Sequence, residues 1–163
     1  MDTISTKMFD KYGISYVIKK HEQDAFTCAD VARERGIRLS QVLKCMVAKC
    51  NSNLIYLMLV PGDRMLRMKK IRKIVSNDSI DLIPADKLTT DYGLRIGGIS
   101  PFHFLKMENQ GKAKFFLDTN VLDEEYIDIS SGQLNEGILL RTKDLIDLIK
   151  PQICDITANT KTL

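Results

Sequence analysis

Val42-Leu43-Lys44-Cys45-Met46-Val47-Ala48, then Asn51-Ser52-Asn53, then Leu54-Ile55-Tyr56-Leu57-Met58-Leu59-Val60 is the stretch that decides the fold. Both apolar runs have strand length, and the tripeptide between them is turn chemistry, so the segment reads as a β-hairpin. Each run is apolar at both parities, the pattern of strands covered on both faces. Pro61-Gly62-Asp63 ends the second strand. Residues 64–75 follow with Met65, Met68, Ile71 and Val75 at helical spacing, which predicts a helix.

Outward from the hairpin the signals are shorter. Thr27-Cys28-Ala29-Asp30 resembles a capping box with Asp in place of Glu or Gln, opening a helix through about Glu34 that Gly36 stops. Residues 4–12 read as a short helix ending at Gly13, and Ile14 to Ile18 as a strand. On the other side lie a strand at 80–83, a helix at 85–92, a Gly-containing loop at 93–101 and strands at 114–117, 126–130 and 137–141. A helix at 143–149 closed by Pro151 and a strand at 153–156 complete the pattern. Strands outnumber helices, and several connections are of hairpin length, so the fold class is α/β (or α+β) with a central mixed β-sheet flanked by helices. With no repeat, low-complexity tract or linker, residues 1–163 are expected to form a single domain.

Composition bounds the partners. The chain has 163 residues, 44% hydrophobic and 28% charged, and a domain of this size buries about 68–70% of its unfolded-chain surface. A net charge of +3 excludes binding through bulk charge but is compatible with a nucleic-acid partner. Cys28, Cys45, Cys50 and Cys154 form no CxxC pair, and the N-terminus has no apolar signal region. No run approaches the roughly 18 apolar residues of a membrane span, so reduced core thiols in a cytoplasmic protein are expected. His21 and His103 are the only histidines, which argues against zinc, and no cofactor is implied.

Lys44 is the most informative residue. A lysine inside a doubly covered strand is costly unless its amine finds a partner or opens into a cleft. At a cleft floor it suits a phosphate as a compact point charge; otherwise it is a strand-end lysine that snorkels to solvent. In Gly97-Gly98-Ile99-Ser100-Pro101 the glycines permit close approach of a ligand, and successive backbone N–H groups there can converge on an oxyanion. The plain alternative is a tight turn. Arg64, Arg67, Lys69, Lys70, Arg72 and Lys73 contain no acid among them, and such a helix either tracks a phosphate backbone or forms a solvated face. Strand alternation turns Cys45 away from whatever Lys44 serves, so Cys45 reads as core packing. His103 reads as structural, and His21 as either a cleft or a surface residue. Asp118, Asp123 and Asp128 are too scattered for a carboxylate pair.

Taken in order, these segments resemble the YbaK/prolyl-tRNA synthetase insertion-domain family of aminoacyl-tRNA deacylases. The motifs are Phe26-Thr27 with Ala29, Gln41-Val42-Leu43-Lys44, Leu59-Val60-Pro61-Gly62-Asp63-Arg64 with Met68-Lys69-Lys70, Gly97-Gly98-Ile99-Ser100-Pro101-Phe102, and Ser130-Ser131-Gly132. The resemblance runs from about residue 14 to 156. The resemblance implies a mixed sheet or partial barrel, and hydrolysis of the ester joining an amino acid to the terminal adenosine of tRNA. It implies a pocket between Lys44, holding a phosphate, and Gly97, Gly98, Ser100 and Pro101, gripping the aminoacyl group. Further implied are His21, Thr27, Ser130, Ser131 and Gly132 as substrate-binding residues, and Arg64, Lys69, Lys70 and Lys73 as contacts to the tRNA backbone. The attacking water is expected to be set by backbone and by the substrate's ribose hydroxyl.

One departure bears on the substrate. The YbaK-like branch places an acid in the strand after Ser130-Ser131-Gly132, where this chain has Gly137, with Glu136 one residue earlier. A one-residue offset flips side-chain direction in a strand, so alanyl and other small residues stand beside cysteinyl as candidate substrates. The leading expectation is a trans-acting deacylase of Cys- or Ala-tRNA(Pro)-like substrates, with tRNA and possibly a synthetase as partners and no membrane. The alternatives are a catalytically silent tRNA- or synthetase-binding module and a small nucleotide-binding protein.

Overall fold

The computed structural model describes residues 2–23, 25 and 27–159; Phe26 of the first motif lies outside them. The elements are α1 (Ile4–Tyr12), β1 (Tyr16–Lys20), α2 (Cys28–Arg35), β2 (Leu43–Lys49), β3 (Ile55–Pro61), β4 (Arg64–Leu66), α3 (Met68–Val75) and β5 (Asp81–Leu82). They continue with α4 (Ala85–Tyr92), α5 (Leu105–Asn109), β6 (Ala113–Asp118), β7 (Tyr126–Ser130), β8 (Glu136–Arg141), α6 (Thr142–Ile149), β9 (Gln152–Cys154) and β10 (Thr157–Asn159).

Local chemistry explains several boundaries. Thr27 and Asp30 cap α2 reciprocally, each backbone N–H donating to the other's side chain at 3.1 Å. Gly36 ends that helix at φ 64°, in the left-handed region open to glycine. The 42–60 stretch forms the expected hairpin, with Lys44 opposite Val60 and Asn53 turning the chain at φ 63°.

The hairpin is the centre of a mixed five-stranded sheet in the order β5-β2-β3-β6-β9. β3 pairs antiparallel with β2 and parallel with β6. Every residue of β3 is buried, the consequence of its apolar run at both parities. One core, containing Leu57, Leu59, Phe115 and Leu117, lies on one face of this sheet and takes in Ile127, Ile129, Ile138 and Leu140 of an antiparallel sheet β1-β8-β7. The other face packs Tyr56, Met58, Val60 and Phe116 against Ile71 of α3. A bridge between Val42 and Asp128 joins the two sheets. No helix among the described residues is long and apolar enough to cross a membrane.

The helix expected over 64–75 is shorter. Arg64–Leu66 is strand β4, paired antiparallel with β10, and only Met68–Val75 is helical. Helical spacing in the local sequence yields here to a partner strand some ninety residues away, with Arg64 opposite Asn159. The C-terminal strand expected at 153–156 is split into β9 and β10, and α5 was not anticipated.

Candidate functional site

β2 pairs along its whole length with β3, but with β5 only at Ala48 and Lys49. Ile83 N–H seals that end by donating to Val47 O at 2.9 Å. At the other end Val42 bridges Asp128. The edge of β2 between them has no strand beside it, and a cavity of about 310 Å³ fills the gap. Its wall is largely aliphatic, with Val31, Leu43, Val47, Ile83, Leu88 and Ile99, and its polar side chains come from α2, β2 and β7.

Lys44 borders this cavity, and its Nζ donates to Arg64 O at 2.6 Å. That bond pins the ammonium and leaves two of its three N–H donors uncommitted to it. Cys45 borders the cavity too. It packs against the main core, as the sequence reading has it, and the cavity reaches it by running along the strand's edge. Burial pushes the Cys45 thiol up to about 12. Burial also raises Cys28, against the opposing charge of Lys44. Neither thiol is thereby a nucleophile near neutral pH.

Within the 97–101 loop the residues divide. Gly97, at φ 92°, and Ile99 border the cavity. Gly98 N–H is committed to Arg95 O at 2.9 Å, and Ser100 N–H to His103 Nδ1 at 3.0 Å. The Gly97 and Ile99 amides have no such partner among the described residues, and both residues border the cavity. Pro101 opens a buried 3-10 turn, Pro101–His103, that anchors the loop. His103 Nδ1 lies 3.0 Å from Ser100 N and 3.1 Å from Ser100 O, so the ring has a backbone partner in either tautomer, and burial holds this histidine below its ordinary pKa.

The second glycine loop backs the first. Ser130 borders the cavity, and its Oγ accepts from Gly132 N–H at 3.1 Å. Ser131 is buried and accepts from Gln133 N–H at 3.2 Å. Gly132 sits at φ 104°, and a Cβ there would come within 3.0 Å of Ile4 Cγ2. Thr27 also borders the cavity, its hydroxyl held by the α2 cap. His21 lies in an adjoining open pocket with Lys20 and Glu136.

A buried ion pair in the cavity wall escaped the sequence reading. Arg35 at the end of α2 donates through Nη1 to Asp128 Oδ1 on β7, with side-chain exposures of 5% and 1%. His21 buttresses it: Nδ1 faces Gln23 O at 2.7 Å and Nε2 faces Arg35 Nη2 at 3.5 Å. Burial pushes the Asp128 carboxyl up, and the Arg35 charge and hydrogen bond oppose that shift. A Cβ on Gly137 would lie 2.5 Å from Arg35 Cζ and 2.6 Å from Asp128 Oδ1. The departure at Gly137 therefore makes room for this pair.

The cationic segment is only partly free. Arg64 bonds Thr157 Oγ1 and Asn159 Oδ1, Lys70 bonds Asp155 and Thr157 O, and Arg72 bonds Ile80 O and Asp81. Lys69 and Lys73 stand exposed on α3. No cluster of His, Cys, Asp or Glu suited to a metal ion occurs among the described residues.

Comparison with known proteins bears on the fold and the family. A crystal structure described as that of a trans-editing enzyme for prolyl-tRNA synthetase superposes with a TM-score of 0.76 at 18% identity, covering 96% of each chain. The structure of hypothetical protein APE2540 gives 0.82 at 16% identity, covering 95% of this chain and 99% of that one. In sequence, the Enterococcus faecalis protein EbsC, assigned as a Cys-tRNA(Pro)/Cys-tRNA(Cys) deacylase, is 23% identical over 95% of this chain and 93% of its own length. A proline–tRNA ligase of Fervidobacterium nodosum is 27% identical over 94 residues, where the match spans 58% of this chain but only 16% of the ligase. The model of the family described as "Aminoacyl-tRNA editing domain" matches residues 22–148, most of the chain, and the protein belongs to that family.

Proposed function

We propose that this chain is a trans-acting aminoacyl-tRNA deacylase, working as one editing domain in the cytoplasm and hydrolysing the ester of a Cys- or Ala-tRNA(Pro)-like substrate. The observation that carries this reading is that Lys44 borders one cavity with Gly97 and Ile99, whose amides have no partner among the described residues. Lys44 holds a phosphate near the terminal adenosine, and the loop grips the aminoacyl group. Gly98, Ser100 and Pro101 act through the shape of the loop, since their own groups are turned into its anchoring.

Hydrolysis needs little more. Water adds to the ester carbonyl carbon, the two amides take the charge that develops on its oxygen, and the bond to the ribose oxygen breaks. That oxygen leaves with the proton given up by water, which the neighbouring ribose hydroxyl positions. One oxyanion donor is worth about 2.7–4 kcal/mol, and an ester is already reactive, so orientation and donors suffice without a side-chain nucleophile. The raised thiols of Cys28 and Cys45 accord with that economy.

The test is deacylation of tRNAs charged with alanine, cysteine, serine, threonine or proline, by wild type and by Lys44→Ala. Wild type is expected to clear one mischarged species, and Lys44→Ala to lose about 10- to 100-fold in kcat/KM, the worth of a charge-assisted contact. Binding of tRNA with no hydrolysis of any species would replace the enzyme with a silent binding module.

A further inference from the structure

The Arg35–Asp128 pair is not accounted for by the fold. Asp128 uses one carboxylate oxygen on Arg35, while Asp128 Oδ2 and Arg35 Nε are buried with no hydrogen-bond partner among the described residues. Leaving half of a buried carboxylate unpaired is costly, and native structures keep such an arrangement where something else completes it. Both residues line the cavity that holds Lys44 and the Gly97 and Ile99 amides. The chain also gives up a side chain at position 137 to seat the pair, since any Cβ there would overlap the guanidinium. His21 Nε2 lies 3.5 Å from Arg35 Nη2, so a third side chain packs against the pair.

We infer that Asp128, oriented by Arg35, receives the α-ammonium group of the aminoacyl ester and makes the cavity selective for a free, charged amino group. This rests on the reading of the cavity as an aminoacyl-ester site. The ester's end is dipolar, with an ammonium on the amino acid and a phosphate on the adenosine. The cavity has matching poles. Asp128 is bridged to Val42, and Lys44 lies two residues farther along β2, about 7 Å at the rise of a strand. Lys44 repels an ammonium and attracts the phosphate, whereas Asp128 accepts the ammonium. The two poles together allow one orientation, the one that leaves the carbonyl between them for the loop amides. Arg35 neutralises the carboxylate on the side away from its free oxygen, so the empty site is stable enough to persist. Among the described residues, the remaining wall holds no second carboxylate to compete for an ammonium.

Two non-hydrolysable probes test this: 3′-alanylamino-3′-deoxyadenosine 5′-monophosphate and its propanoylamino counterpart, which differ in the ammonium alone. Wild type is expected to bind the alanyl probe at least about tenfold more tightly by calorimetry, the ratio one charge-assisted hydrogen bond supplies. Asp128→Asn keeps the shape and should bring that ratio close to one, with propanoyl binding retained. If Asp128→Asn fails to fold around an uncompensated Arg35, the paired replacement Arg35→Met with Asp128→Leu removes both charges and serves instead. Equal binding of the two probes by wild type, or a wild-type ratio in either folded variant, overturns the inference. Binding does not need ester cleavage, so the two readings fail separately. Ammonium selectivity without deacylation would sink the hydrolase and keep this site; deacylation without selectivity would do the reverse.

Discussion

Ser5 on α1 and Ser100 in the glycine loop meet hydroxyl to hydroxyl at 2.8 Å, although 95 residues separate them. Ser5 Oγ also donates to Ser130 O at 3.1 Å, which leaves the Ser100 hydroxyl to donate to Ser5. The first turn of α1 thus ties together the two loops that flank the cavity. Ser5→Ala strips a half-buried carbonyl and a buried hydroxyl of their partner at once. The expected loss is about 1–3 kcal/mol of stability, read as a lower urea midpoint at unchanged m-value. Deacylation should fall as well, because the Gly97 and Ile99 amides depend on the loop for their aim. A variant with wild-type midpoint and rate would show the tie to be idle.

His103 gives the same loop a dependence on pH. Burial disfavours the charged ring and holds its pKa below the ordinary 6.5, against the opposing pull of Ser100 O at 3.1 Å from Nδ1. The unfolded chain therefore binds the proton first as pH falls. The stability contributed by neutral His103 is complete above about pH 6.5 and declines from there toward the lowered folded value. His103→Asn keeps an acceptor near Nδ1 and does not titrate. Between about pH 7.5 and 5.5, wild type should lose more unfolding free energy than His103→Asn. Parallel curves would remove the histidine from the account.

How much of this was legible depended on distance along the chain. The 42–60 hairpin was readable because its runs and its turn are adjacent, and the α2 cap because Thr27 and Asp30 are three residues apart. Lys44 stood out by being wrong for its strand. Arg35 and Asp128 did not, since each is ordinary in its own element: a cation closing a helix and an acid in a strand. Only the fold brings them together across 93 residues. The same holds for Arg64, whose helical periodicity conceals its partners Thr157 and Asn159. Gly137 was visible as a departure, but its cause lay in those two distant side chains.

That cause makes Gly137 a sensitive position. A methyl group there would sit 2.5 Å from Arg35 Cζ and 2.6 Å from Asp128 Oδ1, so the pair must move or part. Overpacking costs about 1–3 kcal/mol, and breaking a buried pair about 3–5 kcal/mol. Gly137→Ala is expected to fall at or above the upper end of the first range in urea melts. Combining it with Arg35→Met and Asp128→Leu, which remove the charges, should recover part of that loss. A tolerated alanine would mean that the pair has slack the geometry does not suggest.

The cations of residues 64–73 should separate into two functional groups under charge reversal. Lys69 and Lys73 are exposed on α3, free to reach a polyanion. Lys70 is held by Asp155 at 2.8 Å and by Thr157 O at 2.7 Å, and Arg64 by Thr157 and Asn159, so both serve the seam between β4 and β10. Reversing Lys69 and Lys73 to Glu should weaken tRNA binding and flatten its salt dependence, each lost phosphate contact lowering the log–log slope by about 0.7–0.9. Stability should barely change, since exposed charges contribute little. Reversing Lys70 should instead cost stability, because a Glu would face Asp155. A salt slope unaffected by the Lys69/Lys73 pair would assign α3 to solvent and leave Lys44 as the main phosphate contact.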